Sequence, residues 1–111
     1  MSVYAFVLNP KTEEEEKLRT PVSTEIFFNK YWLSGAEELG LKWIPTFSAG
    51  MDVIKEYVPE IINELRQLKK WAKEQPQLSQ DEKEYMITRI ELLEERLPLA
   101  FQREDAVMFI G

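Results

Sequence analysis

The chain has 111 residues, a hydrophobic fraction of 44% and a formal net charge of -6, with no cysteine and no histidine. The two absences exclude a disulfide framework, thiolate and imidazole metal sites, and the Ser-His and Cys-His nucleophile pairs, so no metal or other cofactor is expected. The acidic balance repels nucleic-acid phosphates and argues against a DNA or RNA partner.

The length suits one domain with one core, residues 1-111. Val3-Tyr4-Ala5-Phe6-Val7-Leu8 is apolar at every position, the pattern of a central strand covered on both faces, and Asn9-Pro10 ends it. The run is too short and lacks the basic leader of a secretory signal, and no stretch reaches the roughly 18 apolar residues of a membrane span. A cytoplasmic protein without membrane contact is therefore expected. Lys11 to Thr20 carries four consecutive glutamates and little to bury, which predicts a mobile loop or frayed turn.

After Pro21, the spacing of Ile26, Phe27, Phe28, Tyr31, Trp32 and Leu33 predicts a buried helix over 22–33. Ser34-Gly35-Ala36-Glu37 has the form of a capping box, so a second short helix should follow and stop at Gly40. Leu41 to Phe47 reads as a strand placed at an edge or interrupted, because Pro45 cannot donate to a ladder.

From Asp52 to Glu74 the positions Ile54, Val58, Ile61, Leu65, Leu68 and Ala72 define one face of a long helix. Pro59 leaves two options, a start near Val58 after a preliminary turn or a kink. Ser79-Gln80-Asp81-Glu82 is a capping box for another helix running through Met86, Ile90, Leu93, Leu97 and Phe101, with Pro98 bending its end. The short connection makes an antiparallel hairpin, and Ala106 to Ile110 adds a last strand. The fold class is α+β: a small sheet of about three short strands against two long helices and a shorter aromatic-rich one.

Two lines of residues are candidates for binding. At about 100° per residue, Glu56, Glu60, Glu64 and Gln67 advance along one flank of the first long helix and arrive at Trp71. They could meet a basic partner surface around an aromatic anchor. They equally fit a solvated face, since acidic residues precede Arg66, Lys69, Lys70 and Lys73 in the sense that complements the helix dipole. On the second helix, Tyr85, Leu92 and Leu99 form a seven-residue line about 140° from the core line, with Arg89 and Arg96 between. That line is either a homodimer seam or core of a helix wedged between its partner and the sheet. Paired carboxylates such as Glu91 and Glu95 look like ordinary surface, and no glycine-rich phosphate loop is present. A small ligand could also sit near Trp32, Trp43 and Phe47.

The segment Phe28-Asn29-Lys30-Tyr31-Trp32-Leu33 followed by Ala36 to Phe47 resembles a pattern in small acidic bacterial proteins, some of them similar to immunity proteins that neutralise secreted toxins. The likeness spans about 20 residues and carries over no binding residue. It implies a non-enzymatic protein-binding module of the inhibitor type, occluding a basic partner surface. The alternative is a self-associating structural or adaptor protein that uses the Tyr85, Leu92 and Leu99 line.

Overall fold

A computed structural model describes residues 1–111. It is an α+β fold in which a four-stranded antiparallel sheet, ordered β2-β1-β4-β3, is covered on one face by helices. β1 (Ser2–Val7) lies between β2 (Thr20–Thr24) and β4 (Met108–Ile110), and β3 (Met51–Val53) borders β4. Val3, Ala5, Val7, Val22, Val53, Met108 and Ile110 all belong to the buried core.

The other face of β1 is not covered by a second layer, contrary to the sequence reading. Tyr4, Phe6 and Phe109 lie half-exposed there and shield one another instead. Phe6 and Phe109 have ring centroids 5.6 Å apart, and the Arg19 guanidinium sits 4.6 Å from the Tyr4 centroid. The tip of the Phe109 ring lies over Gly50 and Gly111, where an added β-carbon would meet it at 2.8 and 2.6 Å. The aromatic bulk of this face is a substitute for side chains the glycines lack.

Both sheet edges are blunt. Tyr4 and Gly111 exchange two backbone hydrogen bonds at 3.0 and 2.9 Å, so by the antiparallel alternation Met108 and Ile110 bond to β3 and Asp52 faces outward. A three-residue edge with a charge at its centre resists pairing with another chain. By the same alternation the nitrogen of Pro21 points away from β1, where its missing N–H costs no ladder bond. β2 therefore begins ahead of the helix predicted over 22–33, and helical structure starts only after Thr24, whose hydroxyl accepts the Phe27 N–H at 3.2 Å.

The segment read as a mobile loop or frayed turn holds a capped helical turn. Thr12 caps a helical turn, α1 (Glu13–Glu16), which buries Glu15 at 4% exposure. Arg103 donates to its carboxylate from Nε at 2.9 Å and Nη2 at 3.1 Å, and the Lys11 amide donates at 2.7 Å. The Arg103 hydrogen bonds first, and the Lys11 amide second, hold the Glu15 carboxyl below the ordinary carboxylate value of 4.5. A folded-state value under the unfolded one gives stability that is complete above about pH 4.5 and fades as the pH falls through the lowered value. Glu15→Gln should therefore lower stability at neutral pH, with the deficit shrinking toward strongly acid pH in urea melts. A deficit of equal size at both pH values would contradict this ion pair.

Residues 25–39 form one continuous helical run: α2 (Glu25–Phe27), a π-helical stretch (Phe28–Trp32) and α3 (Leu33–Leu39). The wider π turn puts Phe28, Tyr31 and Trp32 all inside. Ser34 is mid-helix, not a cap, and its hydroxyl donates back to the Lys30 carbonyl at 2.8 Å. Gly40, at φ 69°, ends the run as expected.

The predicted strand over 41–47 is instead a loop and a 3-10 turn, Ile44–Thr46, because its amides are taken by a side chain described below. The helix expected from Asp52 yields its first residues to β3 and a 3-10 turn at Lys55–Tyr57, and α4 runs Val58–Glu74 with Pro59 in its first turn. Ile54 consequently sits at the surface rather than on the core face. α5 (Gln80–Arg96) opens with the predicted capping box: the Glu82 amide donates to Ser79 Oγ at 3.1 Å and the Ser79 amide to Glu82 Oε1 at 2.8 Å. Lys69 bridges the antiparallel hairpin to Glu94 at 2.9 Å.

Candidate functional site

Three of the five residues on the α4 flank meet at one surface concavity. Glu60, Glu64 and Gln67 line it with Lys42, Trp43 and Asn63, and it measures about 280 Å³. Because Ile61, Leu65 and Leu68 fix the helix against the core, Glu64 on this flank is turned under the loop that follows Gly40, while Glu60 and Gln67 stay exposed beside it.

Glu64 is the hub. It is 7% exposed and accepts the backbone N–H groups of three successive residues: Lys42 at 3.0 Å, Trp43 at 2.9 Å and Ile44 at 3.1 Å. After the stop at Gly40 these amides have no helical or strand partner, so a carboxylate that accepts through both oxygens is what allows the loop to pack closely. The reading of Glu64 as part of a solvated stripe is thus corrected, since its charge is consumed internally.

The anchored loop presents Trp43. Its indole Nε1–H donates to Glu60 Oε2 at 2.9 Å, and its ring stacks on Tyr57 with centroids 4.5 Å apart and planes 29° from parallel. The Lys42 ammonium stands 4.7 Å from the centroid of the same indole. Trp43 is half-exposed, whereas the anchor expected from the sequence, Trp71, is buried: its ring packs against Gly35 and its Nε1–H donates to Glu38 at 2.8 Å. Trp71 and Gln67 line a neighbouring depression of about 360 Å³ with Leu39 and Lys70. Glu56 is exposed on the 3-10 turn beside Tyr57, outside the concavity.

Sequence reasoning missed Lys42 and Tyr57 and gave Trp43 no partners. One signal was present. Glu64 stands between Ile61 and Leu65, an acid bordering the core line, and such an acid needs donors that α4 itself cannot supply. No common cleft joins Trp43 to Trp32 and Phe47. Those two are fully buried, bracketing Phe28 with centroids 5.6 and 6.4 Å from it, and they line no part of the Trp43 concavity.

The α5 line is divided among internal roles. Tyr85 Oη accepts the outward Thr24 N–H at 3.2 Å, its ring lies edge-on to Phe27 at 4.7 Å, and the Arg89 guanidinium covers it at 5.0 Å. Arg96 reaches toward the Arg19 carbonyl at 3.5 Å, just ahead of β2, so Tyr85 and Arg96 cover the two ends of that strand's free edge. Leu92 is half-buried and Leu99 is 48% exposed, which places α5 between α4 and β2 with its two apolar lines separated in use.

No group of three or more acidic, histidine or cysteine side chains converges as a metal site. No helix is long and apolar enough to cross a membrane. Comparison with protein-family models, curated proteins and solved structures returned no match.

Proposed function

We propose that this chain is a non-catalytic protein-binding module of the inhibitor or immunity type, which covers a basic surface of its partner with the α4 flank and the Trp43 loop. The observation that carries the reading is the pinning of Trp43: Glu64 fixes its backbone, Glu60 its indole nitrogen and Tyr57 one ring face. A half-exposed tryptophan held in place binds at low entropic cost, and tryptophan is enriched among interface hot spots. Exposed Glu37, Glu56 and Glu60 and the net charge of -6 set the sign of the partner.

Self-association along α5 has less support, because Tyr85 and Arg96 are engaged within the molecule and Leu92 is half-covered. The test is affinity capture with immobilised protein, followed by calorimetry on the purified captured protein. Glu56→Lys with Glu60→Lys should weaken its binding about tenfold or more at low salt, and the loss should shrink as salt screens the charges. A captured protein that binds the double variant equally well would contradict the reading.

A further inference from the structure

We propose that Lys42 is an internal stand-in for a basic side chain of the partner, seated on the one open face of Trp43 and displaced when an arginine- or lysine-bearing segment docks there. An indole has two faces. Tyr57 is stacked on one of them, with centroids 4.5 Å apart, so the Lys42 ammonium at 4.7 Å from the same ring occupies the other.

Three features make that face a receptor rather than an incidental contact. The ring cannot swing away, because its nitrogen is bonded to Glu60 and its backbone amide to both oxygens of Glu64. The occupant can leave, because Lys42 is exposed and takes part in none of the molecule's ion pairs. The surroundings favour a cation, since the Glu60 carboxylate lies against the indole edge and the uncharged amides of Asn63 and Gln67 line the same concavity. An ammonium on an exposed ring is held weakly, whereas a cation desolvated between two proteins is held several times more tightly, so exchange favours the incoming group. A guanidinium suits the position best, because its plane can lie on the indole while its edge donates to Glu60.

This inference rests on the reading of the α4 flank as the binding surface, and its test separates the two. The probe is a capped, dye-labelled hexa-arginine peptide, titrated with the protein at about 0.15 M salt while the fluorescence anisotropy of the label is followed. The label reads every variant alike, including those that lack the Trp43 indole. Lys42→Ala should tighten binding about threefold to fivefold by removing the competitor. Lys17→Ala makes the same charge change outside the concavity and should do much less. Trp43→Leu should weaken binding about tenfold, and Trp43→Phe, which keeps a ring but loses the bond to Glu60, should fall between. If the peptide binds but Lys42→Ala and Lys17→Ala are alike, or Trp43→Leu binds as wild type does, Lys42 is no stand-in and general acidic attraction remains. If hexa-arginine binds no better than hexa-glutamate, both this inference and the basic-partner reading fall.

Discussion

Glu64→Ala is expected to destabilise the protein by about 3 kcal/mol, measured as the shift in urea-unfolding free energy at constant slope. The carboxylate accepts three backbone N–H groups, and charge-assisted hydrogen bonds of this kind are each worth roughly 1.5–3 kcal/mol when made. The loss falls short of three times that value because water can enter from the adjoining concavity and satisfy part of the loop. Glu64→Gln separates charge from shape. It keeps one acceptor oxygen but turns an NH₂ group toward a loop amide, so it should recover only part of the difference. Either variant should also free Trp43, seen as a red shift and easier quenching of its fluorescence. A Glu64→Ala protein within about 0.5 kcal/mol of wild type would show that the loop does not depend on this carboxylate.

Gly35→Ala should lower stability by about 2 kcal/mol although alanine is the better helix former. The intrinsic gain is roughly 1 kcal/mol in a helix interior. Against it, the new β-carbon would meet Leu68 Cδ1 at 2.7 Å and the Trp71 ring at 2.7 and 2.9 Å, where α3 lies against α4. The Trp71 indole is tied by its Nε1–H to Glu38 at 2.8 Å and can yield only by giving up that bond, so strain outweighs propensity. Gly35→Val should be worse, because branching adds atoms against the same ring. Thermal unfolding by circular dichroism reads both, and a raised midpoint for Gly35→Ala would mean that Trp71 has room to yield.

The helical hairpin was legible because its determinants are local. Ile61, Leu65 and Leu68 repeat at helical intervals, and Ser79 with Glu82 completes its cap within four residues. β2 and β3 were not, for a different reason. Pro21 is tolerable only because β2 is an edge strand, and three residues of β3 are too few to show a period. Whether a proline breaks a strand depends on which side its neighbour lies, and a single segment does not contain that information. The stretch 41–47 was misread as a strand because the acceptor for its amides is Glu64, some twenty residues away along the chain.

The candidate site was half legible by the same logic. Helical projection correctly brought Glu60, Glu64 and Gln67 to one flank, since that needs only the pitch of α4. It could not assign depth along that flank. Gly35 on a different helix opens the space into which Trp71 sinks, and the Gly40 stop creates the amides that Glu64 satisfies. Depth reversed the roles of the two tryptophans: Trp71 became core, and Trp43, read as part of a strand, became the half-exposed ring.

The most direct test of a basic-partner surface on the α4 flank is an amide and indole NMR map of the wild-type protein titrated with hexa-arginine. The largest shifts should fall on the Trp43 indole N–H, the amides of residues 42–44 and Glu60, while the Trp32 indole stays in place. Shifts centred instead on Tyr4, Phe6 and Phe109 of the outer sheet face, or on Tyr85 to Leu99 of α5, would move the binding surface elsewhere and contradict the assignment.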